Sequence, residues 1–341
     1  MKKNIICLGL GLNQLKLIKH LKSKFNIIGI DKKLSLKAKK IISKYYYSSI
    51  YDYKKIKLIS KKIKKEKIDI ESVIYRSSGP TILSANLLEK EFGIKRINSA
   101  LRDSIYSKSF FYEYLKKFNI NALKSRRISQ YYFSKGKDLV IKPDAPIKGK
   151  KNIFKINDIS NISKFNLCKK ESHNNRVNIS KFYDGIDISS FYLVNNNKKM
   201  INLISHIQEF NRFKNQKIFS DGLCVPPIYN KNITIKTKEK IDKKIIKLYS
   251  GFYGIISVSS KIMKDSKILP YEINIGLSGD LFADKIFPYI YKKMSLYKIE
   301  LDMALFKTRN NRINFRNKFI GFFNKKKYLS KKHFLKQLNK I

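Results

Sequence analysis

The sequence predicts an α/β domain at its N-terminus followed by a larger α+β region. Residues 4–31 run from an apolar segment through a Gly-Leu-Gly turn and an amphipathic segment to a second apolar segment, which is the order of a βαβ unit. From about residue 138 onwards, short apolar runs alternate with brief polar turns, as in strands that pair through hairpins. Length allows this division, because 341 residues suffice for two or three domains.

The composition is strongly basic, with 74 Lys and Arg against 25 Asp and Glu and a net charge of +49. The frequent residues, Lys, Ile, Asn, Tyr and Phe, have A/T-rich codons, so genome bias explains the charge better than selection for nucleic acid. A nucleic-acid binder is expected to show a clustered basic face and a recognisable module, and neither is evident. We expect only non-specific polyanion binding that disappears at moderate salt, and no specific nucleic-acid partner.

Three cysteines, Cys7, Cys168 and Cys224, lie far apart without metal-type spacing, as in a reducing compartment. The N-terminal apolar segment is short and lacks a small-residue cleavage site, and no run reaches the roughly 18 apolar residues of a membrane span. The sequence therefore predicts a cytoplasmic protein.

The βαβ unit admits two interpretations. Gly9 and Gly11 follow the first strand and Asp31 ends the second, as in a dinucleotide-binding fold, but Gln14 stands where a third glycine is expected. The alternative is a nucleotide-like fold whose glycines serve only the turn. Further along, a polar loop follows the strand Glu71–Tyr75 at the edge where α/β sheets place ligands, and its candidate substrate contacts are Arg76, Ser77, Ser78 and Gly79.

Two lysines are candidates for phosphate contacts. Lys108 lies within a helix expected from Ser99 to Phe118, and Lys142 ends the apolar strand that Pro143 closes. A basic loop around Gly149 follows, and ammonium groups with a flexible loop suit a triphosphate. The other interpretation is that these lysines reflect only the abundance of Lys in the chain.

A run with two oxygen-bearing side chains, KILPYEINIGLSGDLF, begins at Lys267. Glu272 and Asn274 are two residues apart, so on a strand they project on the same face and offer Mg²⁺ two hard oxygen ligands. Asp280 follows two glycines as a third oxygen donor. The alternative is a strand with a solvated edge that precedes a glycine turn.

Taken in order, these motifs resemble the ATP-grasp superfamily over about residues 4–295, in particular the branch with biotin carboxylase and the carbamoyl-phosphate synthetase large subunit. The resemblance implies a Rossmann-like pre-ATP-grasp domain (1–97), a two-lobed ATP-grasp domain (98–300; lobes about 120–178 and 179–300) and a basic helical segment (301–341). It implies an ATP- and Mg²⁺-dependent ligase that activates a small carboxylate as an acyl phosphate for attack by an amine. A homo-oligomer is compatible with it.

The resemblance also implies roles for individual residues. These are phosphate contacts by Lys108 and Lys142, a covering loop with Gly149 and Lys150, a ribose contact by Asp187, and metal ligation by Glu272 and Asn274. It leaves the catalytic residues unassigned.

The chain departs from the family pattern at several positions. Ser180-Lys181 replaces the hinge acid, Gly276 replaces a basic residue after the Glu-x-Asn pair, and the strand 257–261 lacks the second metal carboxylate, for which Asp265 and Asp280 are candidate substitutes. One carboxylate fewer weakens Mg²⁺ binding. Two alternatives therefore stay open: a degenerate ATP-grasp protein that binds nucleotide without ligase activity, and an NAD-dependent oxidoreductase built on Gly9, Gly11 and Asp31.

Overall fold

The structure is a computed structural model that describes most of the chain. The described residues are 2–76, 79–129, 138–147, 152–156, 162–195, 201–229, 231–277, 282–291, 295–305, 318–324 and 326–338.

The N-terminal region is a parallel sheet in the order β3-β2-β1-β4, flanked by helices. Its strands are rich in Ile and buried on both faces, as parallel strands covered by helices are. Its elements are β1 (Lys3–Leu8), α1 (Leu12–Lys22), β2 (Phe25–Asp31), α2 (Leu36–Lys39), β3 (Lys44–Tyr47), α3 (Tyr53–Lys65), β4 (Ile70–Tyr75) and α4 (Thr81–Glu91).

Two helices follow where the sequence predicts one. Helix α5 (Ser99–Tyr106) ends before Ser107, and α6 (Lys108–Lys117) begins after it. Ser107 has extended backbone (φ −126°, ψ 122°), and its Oγ accepts a hydrogen bond from the N–H of Phe110, so it caps α6. Lys108 therefore lies in the first turn of a helix rather than in the middle of one.

The next elements form the large sheet, in the order β13-β12-β9-β10-β11-β7-β6-β8-β5. The strands β7, β6, β8 and β5 form a small lobe with α7, and they join the other strands through one pair, Lys217 with Phe154. The elements are β5 (Ser125–Ile128), β6 (Leu139–Pro143), β7 (Phe154–Ile156), α7 (Ile162–Lys170), β8 (Val177–Lys181), β9 (Gly185–Val194), β10 (Ile201–Lys214), β11 (Lys217–Val225), α8 (Asn232–Lys247), β12 (Gly254–Met263) and β13 (Ile268–Ile275).

The C-terminal part departs from the expected basic helical segment, because it contains strands. A π-helical turn (Phe282–Ile286) continues into α9 (Phe287–Ile290), and α10 (Leu296–Ala304) follows. Strand β14 (Ile320–Phe323) then pairs with β11 and with β15 (Lys326–Tyr328), and α11 (Lys331–Leu338) packs on this hairpin. The hydrophobic run IGFF is short and bounded by turns, which suits a strand better than a helix.

The N-terminal sheet shares its cores with the large sheet. One buried cluster joins Ile6 and Val73 to Ile256 and Val258, and a second joins Ile5 to Phe191. A buried ion pair crosses the same boundary from another side, since Arg96 lies 3.0 Å from Glu89 and 3.6 Å from Glu300 of α10. The two regions therefore pack as one body, and the division at residue 97 stays a prediction.

The aromatic cluster around α11 provides a test of the C-terminal segment. Phe334 is fully buried, its ring centroid lies 5.5 Å from that of Phe210 on β10, and a Cβ at Gly321 would come within 2.6 Å of its ring. We expect Phe334→Ala to lower the free energy of unfolding by about 3–5 kcal/mol, because it empties a packed site.

Urea unfolding followed by circular dichroism measures this loss. The exposed Leu329 supplies the control, since Leu329→Ala should change stability by less than about 0.5 kcal/mol. If Phe334→Ala unfolded at the urea concentration of the wild type, the C-terminal segment would not belong to the cooperative unit.

Candidate ATP and metal site

A cavity of about 470 Å³ lies between the small lobe and the strands β9–β13. This volume falls within the usual range for small-molecule sites. Six of the residues singled out in the sequence line it: Gly79, Lys108, Lys142, Asp187, Glu272 and Asn274. They come from five separate parts of the chain, and their individual roles remain predictions. Ser77, Ser78, Gly149, Lys150 and Asp280 lie outside the described residues.

Lys108 and Glu272 meet in this cavity. The Nζ of Lys108 donates a hydrogen bond to Oε1 of Glu272, and both side chains are only partly exposed. The contact joins the first turn of α6 to β13, 164 positions further along the chain. The carboxylate of Glu272 thus already contacts a cation, the ammonium group of Lys108.

Lys142 projects into the same cavity from the end of β6. Burial, and then the nearby ammonium group of Lys108, lower the pKa of Lys142 to about 8, although the carboxylates of Glu272, Asp144 and Asp187 act in the opposite direction. An anion that entered between the two lysines would relieve both penalties. The electrostatics of this corner therefore favour a polyanionic ligand.

Asp187 is engaged by side chains that the sequence analysis did not single out. Its Oδ1 lies 3.0 Å from the Nζ of Lys261, and its Oδ2 accepts a hydrogen bond of 3.0 Å from Asn211. Lys261 stands directly opposite Asp187 on the neighbouring strand, so the pair follows from strand register. The charge of Asp187, for which a ribose contact stays a prediction, is thus partly neutralised by a lysine.

Serines occupy the strand position where the family pattern has a second metal acid. Ser259 pairs with Glu272, and its hydroxyl shares a hydrogen bond of 2.8 Å with Ser189, which in turn donates to Glu209 at 3.2 Å. Glu209 also lines the cavity. It was missed because it lies on β10, two strands away from Ser259, and only the pairing of β9 with both neighbours brings it close.

Asp265, one of the two candidate substitutes for the missing acid, lies elsewhere. It sits in the exposed turn between β12 and β13, where its carboxylate pairs with Lys267 at 2.7 Å. The turn points away from the cavity, since neither residue lines it. Asp265 is therefore wrong as the replacement ligand.

A β-bulge places Tyr271 in the cavity beside Glu272. Ser259 pairs with Glu272 but Ser260 pairs with Pro270, so Tyr271 is the extra residue of the bulge. Burial, with the carboxylates around it, raises the pKa of Tyr271 well above its usual value, so the phenol stays neutral. Without the bulge, side chains would alternate strictly between the two faces of the strand, and the Tyr271 ring would lie on the face opposite Glu272.

Part of the cavity wall is apolar and aromatic. Phe182 follows β8, and its ring lies 5.7 Å from that of Phe213, edge to face. The Nζ of Lys155 lies 4.2 Å above the Phe182 ring. Val140 and Ile153 complete these walls, which suit a flat ring system more than a charged group. Ser180 and Lys181 come directly before Phe182, at the position where the hinge acid is expected.

Gly276 lies against the buried ion pair of Arg96. A Cβ at this position would lie 3.6 Å from Oε1 of Glu300 and 3.7 Å from the carbonyl oxygen of Tyr75. Its φ of +76° also favours glycine. Glycine thus stands where the family pattern has a basic residue, next to Arg96, which forms ion pairs with Glu89 and Glu300.

Arg76 lies at the carboxyl edge of the N-terminal sheet but does not line the cavity. Its Nη1 donates a hydrogen bond of 2.8 Å to the hydroxyl of Tyr297, which donates to Asp284. Lys16 contacts the other oxygen of Asp284 at 2.7 Å. This chain of contacts binds the N-terminal domain to the C-terminal helices.

Asp31, the acidic residue of the dinucleotide interpretation, bonds to the backbone of the glycine turn and of the residue that follows it. Oδ2 of Asp31 accepts a hydrogen bond of 2.6 Å from the N–H of Leu10, and Oδ1 accepts one of 2.6 Å from Lys32. Gln14 occupies the third glycine position and donates to the carbonyl of Leu8. The glycine turn is therefore held by these side chains, and the carboxylate of Asp31 already accepts hydrogen bonds from the backbone around it.

Two features are absent from the described residues. None of their helices is long and apolar enough to cross a membrane. They also contain no group of three or more His, Cys, Asp or Glu side chains placed to hold a metal ion.

No protein-family model matches the chain, and no curated protein matches its sequence. Solved structures do match. The L-amino acid ligase from Bacillus licheniformis superposes with a TM-score of 0.73 at 12% identity, over 94% of this chain and 79% of that one. The biotin carboxylase domain of the Hydrogenobacter thermophilus 2-oxoglutarate carboxylase, solved with MgADP and bicarbonate, gives 0.72 at 13% identity, over 94% and 74%.

The N5-carboxyaminoimidazole synthetase from Staphylococcus aureus, solved with ADP, gives a TM-score of 0.70 at 16% identity, over 95% of this chain and 83% of that one. These likenesses extend across nearly the whole chain. An N-terminal parallel sheet followed by a large antiparallel sheet with helices is common to the matches and to this chain. The chain therefore has the ATP-grasp fold.

Proposed function

We propose that this chain is an ATP- and Mg²⁺-dependent ligase that joins a small carboxylate to an amine. The observation that carries the proposal is the meeting of Lys108, Lys142, Glu272 and Asn274 in one cavity that also has aromatic rings in its wall. Such a cavity suits a nucleoside triphosphate, with the base against the wall that Phe182 and Phe213 form and the phosphates at the lysines. The matched L-amino acid ligase and carboxylase domain support the reaction class.

The reaction has two steps. A carboxylate oxygen of the substrate attacks the γ-phosphorus of ATP, the bond to the β-phosphate oxygen breaks, and ADP leaves. The amine nitrogen then attacks the acyl carbon, phosphate leaves with the bonding electrons, and the nitrogen loses a proton. Lys108 and Lys142 would neutralise the phosphate oxygens on which negative charge increases, which is the main protein contribution to phosphoryl transfer.

The metal-binding residues fit Mg²⁺ in their chemistry. Glu272 and Asn274 offer hard oxygen atoms, and Glu272 already contacts the ammonium group of Lys108 as a stand-in cation. Bound Mg²⁺ would supply further neutralisation of the phosphates. In the complex, Lys108 would exchange its contact with Glu272 for one with a phosphate oxygen.

A second candidate function is nucleotide binding without ligase activity. Ser259 stands where the family pattern has a carboxylate, and the described residues hold no group of three or more His, Cys, Asp or Glu side chains placed to hold a metal ion. Glu209 approaches this position only through Ser189. The dependence of ATP binding on Mg²⁺ separates the two functions.

The remaining features of the proposal concern substrates and location. The substrates are ATP, a small carboxylate and an amine, and a homo-oligomer is compatible with the fold. We propose a cytoplasmic location, because ATP is a cytoplasmic substrate and because Cys7, Cys168 and Cys224 are all free and buried thiols.

Replacement of Lys142 tests the phosphate site. We expect Lys142→Ala to weaken ATP binding roughly 10- to 100-fold, because a charge-assisted hydrogen bond to phosphate is lost. Calorimetric titration in moderate salt measures this and suppresses non-specific binding to a chain of net charge +49. Lys236→Ala removes the same charge from an exposed position on α8 and serves as the control. Equal affinities for both variants would place ATP elsewhere.

Replacement of Glu272 tests the metal. In the wild type we expect Mg²⁺ to tighten ATP binding, and in Glu272→Gln we expect that gain to disappear. Binding of metal-free ATP should be unchanged or tighter in Glu272→Gln, because Lys108 loses its carboxylate partner. Titrations with and without Mg²⁺, followed by a screen of carboxylates and amines for ADP release, provide the readout. Wild-type binding indifferent to Mg²⁺ would favour the non-ligase function.

The lowered pKa of Lys142 predicts a pH dependence. Phosphate favours the ammonium form, so the pKa of Lys142 rises on binding. Below its free value of about 8 the lysine is already charged, and affinity is flat; above it, binding takes up a proton and affinity falls by up to about tenfold per pH unit. Calorimetry in buffers of different ionisation enthalpy counts the protons. Lys142→Arg keeps the charge without titrating, so its profile should stay flat.

A further inference from the structure

The carboxylate of Asp144 lies at the centre of the structure behind the two lysines. Asp144 is fully buried, two residues after Lys142 in the chain. Its oxygens accept four hydrogen bonds, from Ser107 Oγ, Ser109 Oγ and Asn174 Nδ2 at 2.8 Å each and from the N–H of Ser109 at 3.2 Å. A carboxylate has about four acceptor positions, so its hydrogen-bonding capacity is filled.

Three of these four bonds come from the residues on either side of Lys108. Ser107 precedes it and Ser109 follows it, and the N–H of Lys108 itself donates to the backbone carbonyl of Asp144 at 3.3 Å. Asp144 thus caps the first turn of α6 from outside the helix, where a negative charge also interacts favourably with the helix dipole. Asp144 thus accepts hydrogen bonds from three consecutive residues, 107 to 109, and these bonds fix the backbone at Lys108.

These hydrogen bonds form a circuit that also reaches β8, the strand that pairs with β6 at Lys142. Asn178 on β8 is the register partner of Lys142, and its Nδ2 donates a hydrogen bond of 2.8 Å to Ser109 Oγ. Ser109 therefore contacts Asp144 on one side and the partner of Lys142 on the other. None of the four donors to Asp144 is a charged side chain. These bonds therefore leave the negative charge of Asp144 unneutralised, and it acts on the nearby lysines.

We propose that Asp144 is the positioning residue of the phosphate site, whose buried carboxylate sets the separation of Lys108 and Lys142 for the β- and γ-phosphates of one nucleotide. The proposal rests on the function proposed above. Asp144 itself does not line the cavity and would not touch the nucleotide. It acts by holding α6, which carries one lysine, against the end of β6, which carries the other.

The comparison of ATP with AMP separates positioning from general stability. AMP has the same base, ribose and α-phosphate but lacks the two phosphates that would contact the lysines. A merely structural defect lowers the affinity for both nucleotides, whereas lost positioning lowers the affinity for ATP alone. Both affinities can be measured by displacement of a fluorescent ATP analogue in moderate salt.

The variants are Asp144→Asn, which removes the charge and turns one acceptor into a donor, and Ser109→Ala, which removes two links of the circuit and leaves the carboxylate. Ser107→Ala removes the N-cap of α6, and Ser295→Ala is its matched control, because Ser295 caps α10 in the same way outside the cavity. We expect the test variants to bind ATP roughly tenfold or more weakly, with AMP binding within about twofold of the wild type. The control should bind both nucleotides as the wild type does.

Circular dichroism and thermal unfolding establish that each variant is folded. If Asp144→Asn does not fold, Ser109→Ala and Ser107→Ala decide the question. Folded variants that bind ATP within about twofold of the wild type, or that lose AMP and ATP affinity equally, would overturn the positioning role while the proposed function stands. A wild-type chain that binds no ATP would overturn both, and this outcome is recognised before any variant is compared.

Discussion

The cavity depends on an electrostatic balance around two lysine ammonium groups that are held close together. Lys108 and Lys142 line one cavity, and burial adds to their mutual repulsion, as the lowered pKa of Lys142 reflects. Glu272 contacts one ammonium group, and Asp144 and Asp187 act on the other from a greater distance. The free protein thus contains partial replacements for the anion and the cation that we propose it binds, and each ligand would displace a contact that is already satisfied.

The rest of the fold keeps this balance in place. The N-terminal sheet and the large sheet share hydrophobic clusters, so β13 with Glu272 is held against a large body. The small lobe with Lys142 is joined to that body more narrowly, by the pair Lys217–Phe154 and the hydrogen bonds Lys155 N–Gln216 O (2.7 Å) and Ile218 N–Ile153 O (3.2 Å). The hydrogen-bond circuit of Asp144 provides a further attachment, next to the lysines.

Much of the fold followed from local patterns, and the errors have physical causes. The strands of the βαβ unit, the strand that ends at Lys142 and the hairpin before Glu272 were readable because apolar periodicity and turn residues act over a few positions. The helix expected over 99–118 is two helices, because the extended backbone of Ser107 ends α5 and its hydroxyl caps α6. The strands β14 and β15 were missed in a segment whose basic composition hides a short apolar run.

The sequence by itself determined the order of elements, the fold class and a set of residues with the right chemistry. The tertiary structure decided which of them meet. It united Lys108 with Glu272 across 164 positions, added Glu209, Asn211 and Lys261 through strand register, and placed Asp265 in an exposed turn. The reason is one of range: backbone preferences and side-chain periodicity are encoded within a turn or a strand, whereas a cavity forms where distant segments pack, and only that packing sets its distances and charges.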